Sequence, residues 1–454
     1  MIAYEEALRT ILENSQALPA ERTTALKSMG LVAADDVVSD IDLPQSDIAR
    51  LDGYAARSSD LKEAGPDAPV ALRVIGRARA GQLTRKVVRR NTAIRIMTGS
   101  VIPAGADCVV RFEDTDEPGG KLGPNSDNPS TVKAFAAPVP GSGIRLRGSD
   151  IRKGSVVLGQ GMVLGPAQIS ALLSIGKTRV TVIRRPVVTI IATGDELISP
   201  DRQLRPGKTF NSNAAALAAL VLHYGGIPRL LGVARDNEAS IIGKIQRGMT
   251  SDAIITSGGI SHGDYDLMRL VLGKIGKVVF SRVRMGSGTG MVFSVVPRPA
   301  LRGGSPFIPV FSLAGPPSGC LINFETLVRP ALLKMRGMVQ TKHPSVQATA
   351  VDTAANRKDI PCIQWTRLEE KEGRYRVMLN VDGTAGNLNP LLMANSLTVI
   401  PEGTMIRSGD AVRVLRLDWG CAYTPYKKYT GGAQRSRDNN AGHPYKKQAG
   451  GKER

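Results

Sequence analysis

The sequence predicts a multi-domain protein of the α/β plus β class, with a mostly parallel α/β domain, an inserted small β domain and a C-terminal β-barrel-like domain. Three observations predict it. Strand, loop and helix patterns alternate between about residues 180 and 335. Short β-rich runs separated by glycine and proline fill residues 43–140 and recur after about residue 347. The 454 residues also exceed what one hydrophobic core usually serves, so we expect about three or four domains.

The domain boundaries are predicted where these patterns change. The predicted units are an N-terminal helical and linker domain (1–42 and 141–178), the inserted small β domain (43–140), the α/β domain (179–335), the C-terminal β domain (336–420) and a disordered basic tail (421–454).

A short amphipathic helix is predicted at the N-terminus, over Tyr4–Glu13. Its apolar face consists of Ala7, Leu8, Ile11 and Leu12. In the inserted β domain, Ala71–Ile75 and Cys108–Val110 are typical of strands. The segment Glu117–Ser130 is rich in Pro, Gly, Asn and Asp, which predicts an exposed loop.

The α/β domain begins with Val187–Ala192, an uninterrupted apolar run that predicts a buried strand. Asn213 is the predicted N-cap of a helix over Ala214–Leu220. A second strand, Ala253–Ile255, stops at a Ser-Gly-Gly turn and precedes another helix. The predicted apolar face of that helix consists of Leu267, Leu270, Val271 and Ile275. Because ligands of such sheets bind beyond the carboxyl ends of the strands, we expect the site there.

The C-terminal part is predicted to be a small barrel or sandwich with strands at Arg376–Leu379, Leu397–Ile400 and Val412–Leu415. Hydrophobicity falls after Trp419, and Pro-Tyr-Lys-Lys occurs twice in the remaining residues. This composition predicts a disordered tail.

The formal net charge of +20 predicts attraction to anions, such as phosphorylated small molecules, oxyanions, nucleic acid or acidic lipid. Residues 422–454 contribute eight Lys or Arg and two acidic residues. Tyrosines between the lysine pairs leave single-stranded nucleic acid as an alternative ligand of this tail. We favour a solubilising or loosely interacting tail, and nucleic acid is not an expected partner. Deleting residues 422–454 tests its role in any salt-sensitive binding.

Cysteine and histidine spacing argues against a zinc site or a disulfide framework, because the chain has neither a CxxC pair nor an HxxxH pair. A reducing compartment fits these scattered cysteines. The N-terminus lacks the features of a signal peptide, and no uncharged apolar run is long enough to cross a bilayer. We therefore expect a cytoplasmic protein without a membrane partner.

Several carboxylates follow strands or lie beside glycines, and they are the first candidates for chemistry. They are Asp52, Asp150, Glu196, Asp236 and Asp266. Carboxylates that surround a phosphate ligand require a bridging cation, usually Mg²⁺. Each could instead be an ordinary cap or turn residue.

A second kind of candidate is a glycine turn that could hold an anion. Ser257-Gly258-Gly259-Ile260-Ser261 lies between a strand and a helix, where backbone N–H groups and the helix N-terminus favour negative charge. Thr98, beside Gly99, could hold phosphate or simply close a turn. His262 follows the first turn, but nothing nearby in the sequence orients it, so we assign it no role.

Seven motifs in order resemble the MoeA and gephyrin E-domain family of molybdopterin molybdenumtransferases, from the N-terminal helix to about Leu417. They are Leu51-Asp52-Gly53-Tyr54-Ala55, Met97-Thr98-Gly99 continuing to Glu113, Arg147-Gly148-Ser149-Asp150, Thr193-Gly194-Asp195-Glu196-Leu197, Asn211-Ser212-Asn213, Ser257-Gly258-Gly259-Ile260-Ser261-His262-Gly263 with Asp266, and Ala394-Asn395 through Ala411-Val412. The chain is thereby identified as a divergent member of this family.

The resemblance implies an elongated four-domain homodimer and a reaction in which adenylylated molybdopterin and molybdate, with Mg²⁺, give molybdenum cofactor and AMP. The functional residues of the family fall on Asp52, Thr98, Asp150, Glu196, Asp236 and Asp266. The expected metal ligands are Asp52, Glu196, Asp236 and Asp266. The residues expected to bind the pterin are Thr193, Gly194, Ser257, Gly258, Gly259, Ser261 and Arg282.

The chain also departs from the family pattern. A loop that carries two lysines in the family aligns with Gly286-Ser287-Gly288-Thr289-Gly290. Arg282 and Arg284 could supply the missing charge, and the glycine-rich loop could supply backbone donors. An arginine and a serine of the family align with Trp365 and Ala385. These departures leave an alternative open, a non-catalytic paralogue that binds molybdopterin or its cofactor and delivers it to a partner molybdoenzyme.

Overall fold

The computed structural model describes residues 1–117, 129–260, 267–299, 305–381 and 388–419. Its first twelve strands are β1 (Ala20–Thr24), β2 (Val32–Ala33), β3 (Val37–Val38), β4 (Ile48–Ala49), β5 (Gly53–Ala56), β6 (Val70–Ala78), β7 (Thr92–Ile96), β8 (Cys108–Arg111), β9 (Thr131–Ala134), β10 (Ile144–Arg145), β11 (Val156–Leu158) and β12 (Arg179–Ile183). The α-helices α1 (Tyr4–Glu13) and α2 (Pro166–Ser174) accompany them.

The central part of the chain alternates strands and helices. Its strands are β13 (Val187–Thr193), β14 (Leu197–Ile198), β15 (Thr209–Phe210), β16 (Ile227–Ala234), β17 (Ala253–Ser257), β18 (Lys277–Phe280), β19 (Met291–Pro297) and β20 (Phe307–Leu313). Its helices are α3 (Ser212–His223), α4 (Glu238–Gly248), α5 (Leu267–Ile275), α6 (Pro317–Asn323) and α7 (Arg329–Met335), with a π-helical turn at Phe324–Val328 joining the last two.

The C-terminal part is mainly β-structure. It contains β21 (Ser345–Ala350), β22 (Ala354–Ala355), β23 (Cys362–Lys371), β24 (Arg374–Met378), helix α8 (Asn389–Met393), β25 (Ser396–Ile400), β26 (Met405–Ile406) and β27 (Ala411–Arg416). Five of these strands close a barrel in the order β21-β24-β23-β25-β27, as predicted.

The inserted β domain is a five-stranded sheet in the order β8-β5-β7-β6-β9. Tyr54, Leu72 and Val110 belong to its buried apolar cluster. The predicted strands at Ala71–Ile75 and Cys108–Val110 are both present, within β6 and β8. Most of the predicted loop at Glu117–Ser130 lies outside the described residues.

A six-stranded sheet in the order β16-β13-β17-β20-β19-β18 forms the centre of the α/β domain. β16, β13, β17 and β20 are parallel, and only β19 pairs antiparallel with both of its neighbours. The sheet is therefore mostly parallel, as predicted. The carboxyl ends of β13, β16, β17 and β20 meet at one edge, which we call the ligand edge.

Helices cover both faces of this sheet, so its strands are apolar on both sides. On one face α3, α6, α7 and the N-terminal helix α1 bury residues such as Ala7, Ile11 and Leu217 with the sheet. On the other face α4 and α5 bury Met268 and Leu272 among others.

Two details of the predicted helices are wrong. The buried face of α5 consists of Met268, Val271 and Leu272, and Leu270 is 58% exposed. The N-cap of α3 is Asn211, whose side chain accepts a hydrogen bond from the Ala214 N–H, and not Asn213.

A buried polar network joins the long helix α6–α7 to the C-terminal end of the barrel. The Glu325 carboxylate is fully buried and accepts hydrogen bonds from the Tyr224 hydroxyl at 2.9 Å and from Trp419 Nε1 at 2.6 Å. The His343 Nε2 atom lies 3.2 Å from the same carboxylate. Burial and the Glu325 charge both raise the pKa of Tyr224 well above its usual range.

Candidate functional site

Two strand ends at the ligand edge form a tight glycine turn. Gly258 and Gly259 follow β17 with φ of 90° and 71°. A Cβ atom on Gly258 would lie 2.3 Å from the Thr193 carbonyl oxygen, so this approach of β17 to β13 requires glycine. The Gly258 N–H donates to the Leu313 carbonyl oxygen, whereas the Gly259 N–H has no partner among the described residues.

The Thr193 side chain lies against this turn, with its methyl carbon 3.1 Å from where a Gly259 Cβ would be. Thr193 is 2% exposed, and its hydroxyl oxygen has no hydrogen-bond partner in the described part of the chain. An unpartnered buried hydroxyl is costly unless a ligand or water satisfies it. The turn and this hydroxyl together are suited to hold a polar ligand.

Glu196 and Asp236 both contact the turn that follows β13, through Gly194 and Asp195 respectively. The Glu196 carboxylate folds over Gly194, where an added Cβ would lie 2.5 Å from its oxygens. Asp236 follows β16 and accepts a hydrogen bond from the Asp195 N–H at 3.3 Å. Asp195 accepts one in return from the Asp236 N–H at 3.4 Å. The sequence analysis had not singled out Asp195.

Asn213 contacts the turn instead of capping α3. Its amide nitrogen donates to Ser257 Oγ at 2.7 Å and to the Gly315 carbonyl oxygen at 2.8 Å. Its amide oxygen is buried and has no partner among the described residues. Asn213 therefore fixes the Ser257 hydroxyl at the ligand edge.

Asp52 and Thr98 form a second group in the inserted β domain. Both the backbone N–H and the hydroxyl of Thr98 donate to Asp52 Oδ1, at 2.7 and 2.8 Å. A cavity of about 640 Å³ adjoins them and is lined by Arg50 and Arg145 among others. Arg145 forms an ion pair with Asp150 and holds the pKa of that carboxyl below its usual range.

The two groups remain separate within one chain. No hydrogen bond or ion pair joins Asp52, Thr98 or Asp150 to Glu196 or Asp236 in the described ranges. Across the described part of the chain, no group of three or more His, Cys, Asp or Glu side chains is placed so that it could hold a metal ion. Further predicted site residues lie outside the described residues, namely Ser261, Asp266 and the unassigned His262.

The loop Gly286–Gly290 follows β18 and is fastened to the barrel domain. The Gly286 N–H donates to the Pro361 carbonyl oxygen at 2.7 Å, and the Gly288 N–H donates to Met285. Arg284 forms an ion pair with Glu402 at 2.9 Å. The N–H groups of Gly286 and Gly288 are thus already used, so any backbone donors that this loop offers to an oxyanion must come from its other residues.

The two other departures from the family pattern can be placed only in part. Trp365 is buried, and its Nε1–H donates to Ser318 Oγ at 3.0 Å, so it seals the junction between barrel and helix α6. Ala385 lies outside the described residues. Arg282 is exposed, and its carbonyl oxygen accepts a hydrogen bond from the Ile2 N–H.

A cavity of about 920 Å³ opens beside Gly194, between the ends of β13 and β16. Four basic side chains line it, those of Arg202, Arg205, Lys208 and Arg235. The sequence analysis missed these residues, because they occupy turns and only the overall positive charge pointed to an anion. We call this space the basic cavity.

Family models match most of the chain. Residues 2–176 match the MoeA N-terminal region (domain I and II), and residues 189–334 match a probable molybdopterin binding domain.

Among the described residues, no helix is both long enough and apolar enough to span a bilayer.

Similar proteins cover nearly the whole length of the chain. A molybdopterin molybdenumtransferase from Staphylococcus epidermidis is 30% identical over 419 residues, which cover 91% of this chain and 95% of that protein. One from Bacillus subtilis is 32% identical over 421 residues, covering 91% and 94%. The crystal structure of a molybdopterin biosynthesis moeA protein from Pyrococcus horikoshii gives a TM-score of 0.77 at 28% identity, covering 92% of this chain and 99% of that chain.

Proposed function

The chain belongs to the MoeA family of molybdopterin molybdenumtransferases, and we propose that it inserts molybdate into adenylylated molybdopterin with release of AMP. It is a transferase of molybdenum cofactor biosynthesis. One observation carries the detailed proposal. The unpartnered Thr193 hydroxyl, the Gly258–Gly259 turn and the carboxylates of Glu196 and Asp236 lie around the end of β13, and the basic cavity opens there beside Gly194.

In this proposal the glycine turn holds the pterin end of the substrate. Thr193, Gly194, Ser257, Gly258 and Gly259 line or support the turn, and the buried Thr193 hydroxyl supplies a donor that has no partner among the described residues. Ser261 and Arg282 stay predicted contacts. The turn lies where parallel strands end, which is where ligands of such sheets bind.

Glu196 and Asp236 are proposed to hold Mg²⁺. They are oxygen donors beside one turn, and Mg²⁺ in phosphate sites commonly takes only one or two carboxylates together with phosphate oxygens, so these residues fit the ion. When bound, Mg²⁺ would neutralise the negative charge that develops on the phosphoanhydride. Asp266 stays a predicted further ligand.

The group around Asp52 is proposed to act from a second subunit. Asp52 and Thr98 lie in the inserted domain and Asp150 lies just after it, and none of the three forms a hydrogen bond or ion pair with Glu196 or Asp236 in the described part of one chain. A homodimer in which this group faces the partner's ligand edge would complete the site. Asp52 would then join the metal-holding set, and Thr98 would hold the Asp52 carboxylate in place through its two hydrogen bonds.

A specific observation favours a second candidate function. The loop Gly286–Gly290 carries no cation, and two of its N–H groups are already used. A protein with this loop could bind molybdopterin or its cofactor and deliver it to a molybdoenzyme without inserting molybdate itself.

Incubation of the purified full-length protein with adenylylated molybdopterin, Mg²⁺ and molybdate separates the two candidates. The transferase proposal expects AMP release that is lost in Asp236→Asn and in Asp266→Ala. The exposed Glu21→Gln on β1 is the matched control and should release AMP like the wild type. Tight substrate binding with no AMP above the Asp236→Asn level would establish the carrier function instead.

We also propose a cytoplasmic location. Cys108, Cys320 and Cys362 are free thiols in the structure, which fits a reducing compartment.

A further inference from the structure

The basic cavity is built by one irregular segment that is fixed at both ends. β14 and β15 pair in parallel, with Leu197 opposite Thr209 and Ile198 opposite Phe210. Residues 199–208 therefore form a loop whose two ends are held next to each other by the β14–β15 pair. Turn hydrogen bonds from the Arg202 N–H to Ser199 and from the Lys208 N–H to Arg205 shape the segment between.

Lys208 and Arg235 are held on the two strand ends that flank the cavity. The Lys208 ammonium donates to the Asp195 carbonyl oxygen at 2.8 Å, which keeps its charge near the β13 turn. The Arg235 N–H donates to Ser240 Oγ in the first turn of α4. Arg202 and Arg205 reach the cavity from the segment opposite.

None of the four cations forms an ion pair among the described residues, although Asp195 also lines the cavity and Asp201 carries a charge beside Arg202. Glu238, the acidic residue in the first turn of α4, is already paired with Lys274 at 2.6 Å. All four side chains are exposed, and a concave surface lined by four cations raises the local concentration of anions.

The size of the cavity indicates the kind of anion. About 920 Å³ is far more than one tetrahedral oxyanion fills and matches the volume of sites for nucleotide-sized ligands. Guanidinium groups pair with phosphate through two parallel hydrogen bonds. The carboxylates Glu196 and Asp236 lie at the Gly194 side, where a bridging cation would be needed for the same phosphates.

We infer that Arg202, Arg205, Lys208 and Arg235 form a phosphoanhydride subsite that binds the nucleotide end of the substrate and sets its affinity. This inference rests on the proposed function and adds four residues that determine specificity. The pterin end then occupies the Gly258–Gly259 turn, and the scissile phosphoanhydride lies at the Gly194 side of the basic cavity, near Glu196 and Asp236.

The test uses the double variant Arg202→Gln/Arg205→Gln, which removes two charges without touching Glu196 or Asp236. The matched control is Arg22→Gln/Arg247→Gln, which removes two exposed charges on β1 and in the last turn of α4. Titration calorimetry measures binding of inorganic pyrophosphate, AMP and molybdate, each with Mg²⁺. AMP release from adenylylated molybdopterin then gives kcat and KM.

Pyrophosphate should bind the double variant at least about tenfold more weakly than the wild type, and KM should rise by a similar factor with kcat less affected. The control variant should keep wild-type values. Unchanged pyrophosphate affinity and KM in the double variant would overturn the inference, as would a loss confined to molybdate. If the wild type binds pyrophosphate through these arginines but releases no AMP, the subsite stands and the transferase proposal alone fails.

Discussion

Replacing Glu325 by alanine should destabilise the protein more than most single substitutions. The carboxylate is fully buried and accepts two hydrogen bonds, from Tyr224 at 2.9 Å and Trp419 at 2.6 Å. Removing it leaves both donors and the nearby His343 ring buried without this acceptor. Each orphaned donor costs about 1–3 kcal/mol, and two donors together with the displaced His343 contact lead us to expect about 3–5 kcal/mol in total.

Glu325→Gln separates loss of charge from loss of volume. Glutamine keeps the shape and one acceptor oxygen, but its amide nitrogen faces a donor, so the expected cost is about 1–2 kcal/mol. For a domain of roughly 150–250 residues, about 2–4 °C of Tm is lost per kcal/mol, which predicts a fall of about 6–20 °C for the alanine variant.

Urea unfolding followed by tryptophan fluorescence measures the free energy of unfolding of both variants with a probe at the junction of helix and barrel. The chain has two tryptophans, Trp365 and Trp419, whose ring centroids are 6.0 Å apart at this junction. Glu21→Ala, an exposed glutamate on β1, is the control. If Glu325→Ala unfolds at the same urea concentration as this control, the buried carboxylate does not hold the helix to the barrel, and the reasoning is refuted.

Three further predictions concern other parts of the chain. Asp252→Asn should lower the free energy of unfolding by about 2–3 kcal/mol in urea titrations, because Asp252 is buried and accepts two hydrogen bonds from Arg184; an effect below about 0.5 kcal/mol would contradict this. The variants Asp52→Ala and Asp236→Ala should each be inactive, and unfolding them together and refolding the mixture should restore AMP release to about a quarter of wild type if each site uses both chains. No recovery would exclude a shared site. Burial raises the pKa of the Cys320 thiol from 9.0 to about 12, so its contribution to stability is complete below pH 9.0 and is lost as pH rises toward 12. Between pH 8 and pH 10 the free energy of unfolding should therefore fall more for the wild type than for Cys320→Ala in urea unfolding curves.

Much of the fold follows from local sequence patterns. The helix Tyr4–Glu13 has the predicted bounds because its apolar residues repeat at helical spacing. The buried strand Val187–Ala192 is present because a run of β-branched apolar residues suits a sheet covered on both faces.

The details that failed depend on tertiary contacts. Asn211 and Asn213 are equally good caps for the helix that follows, and only the bonds of Asn213 to Ser257 and Gly315 decide between them. Six of the nine residues of α5 are apolar and lie on more than one side of the helix, so the pattern did not show which side faces the sheet.

The candidate site was predictable only where its residues follow strands. Glu196 and Asp236 could be selected because each follows a strand, and strand ends meet at one edge. The basic cavity could not, since Arg202 and Arg205 lie in turns whose folded position no periodic pattern encodes. Whether Asp52 joins them depends on a second chain, which local patterns do not report.

The attachment of the Gly286–Gly290 loop gives the barrel a means of communicating with the sheet. The loop leads directly into β19 at the ligand edge, its first residue Gly286 donates to Pro361 just before barrel strand β23, and Arg284 just upstream pairs with Glu402. A tilt of the barrel would therefore displace this loop at the ligand edge. By linkage, whatever binds the barrel tightly in one orientation also changes substrate affinity, and substrate in turn biases that orientation.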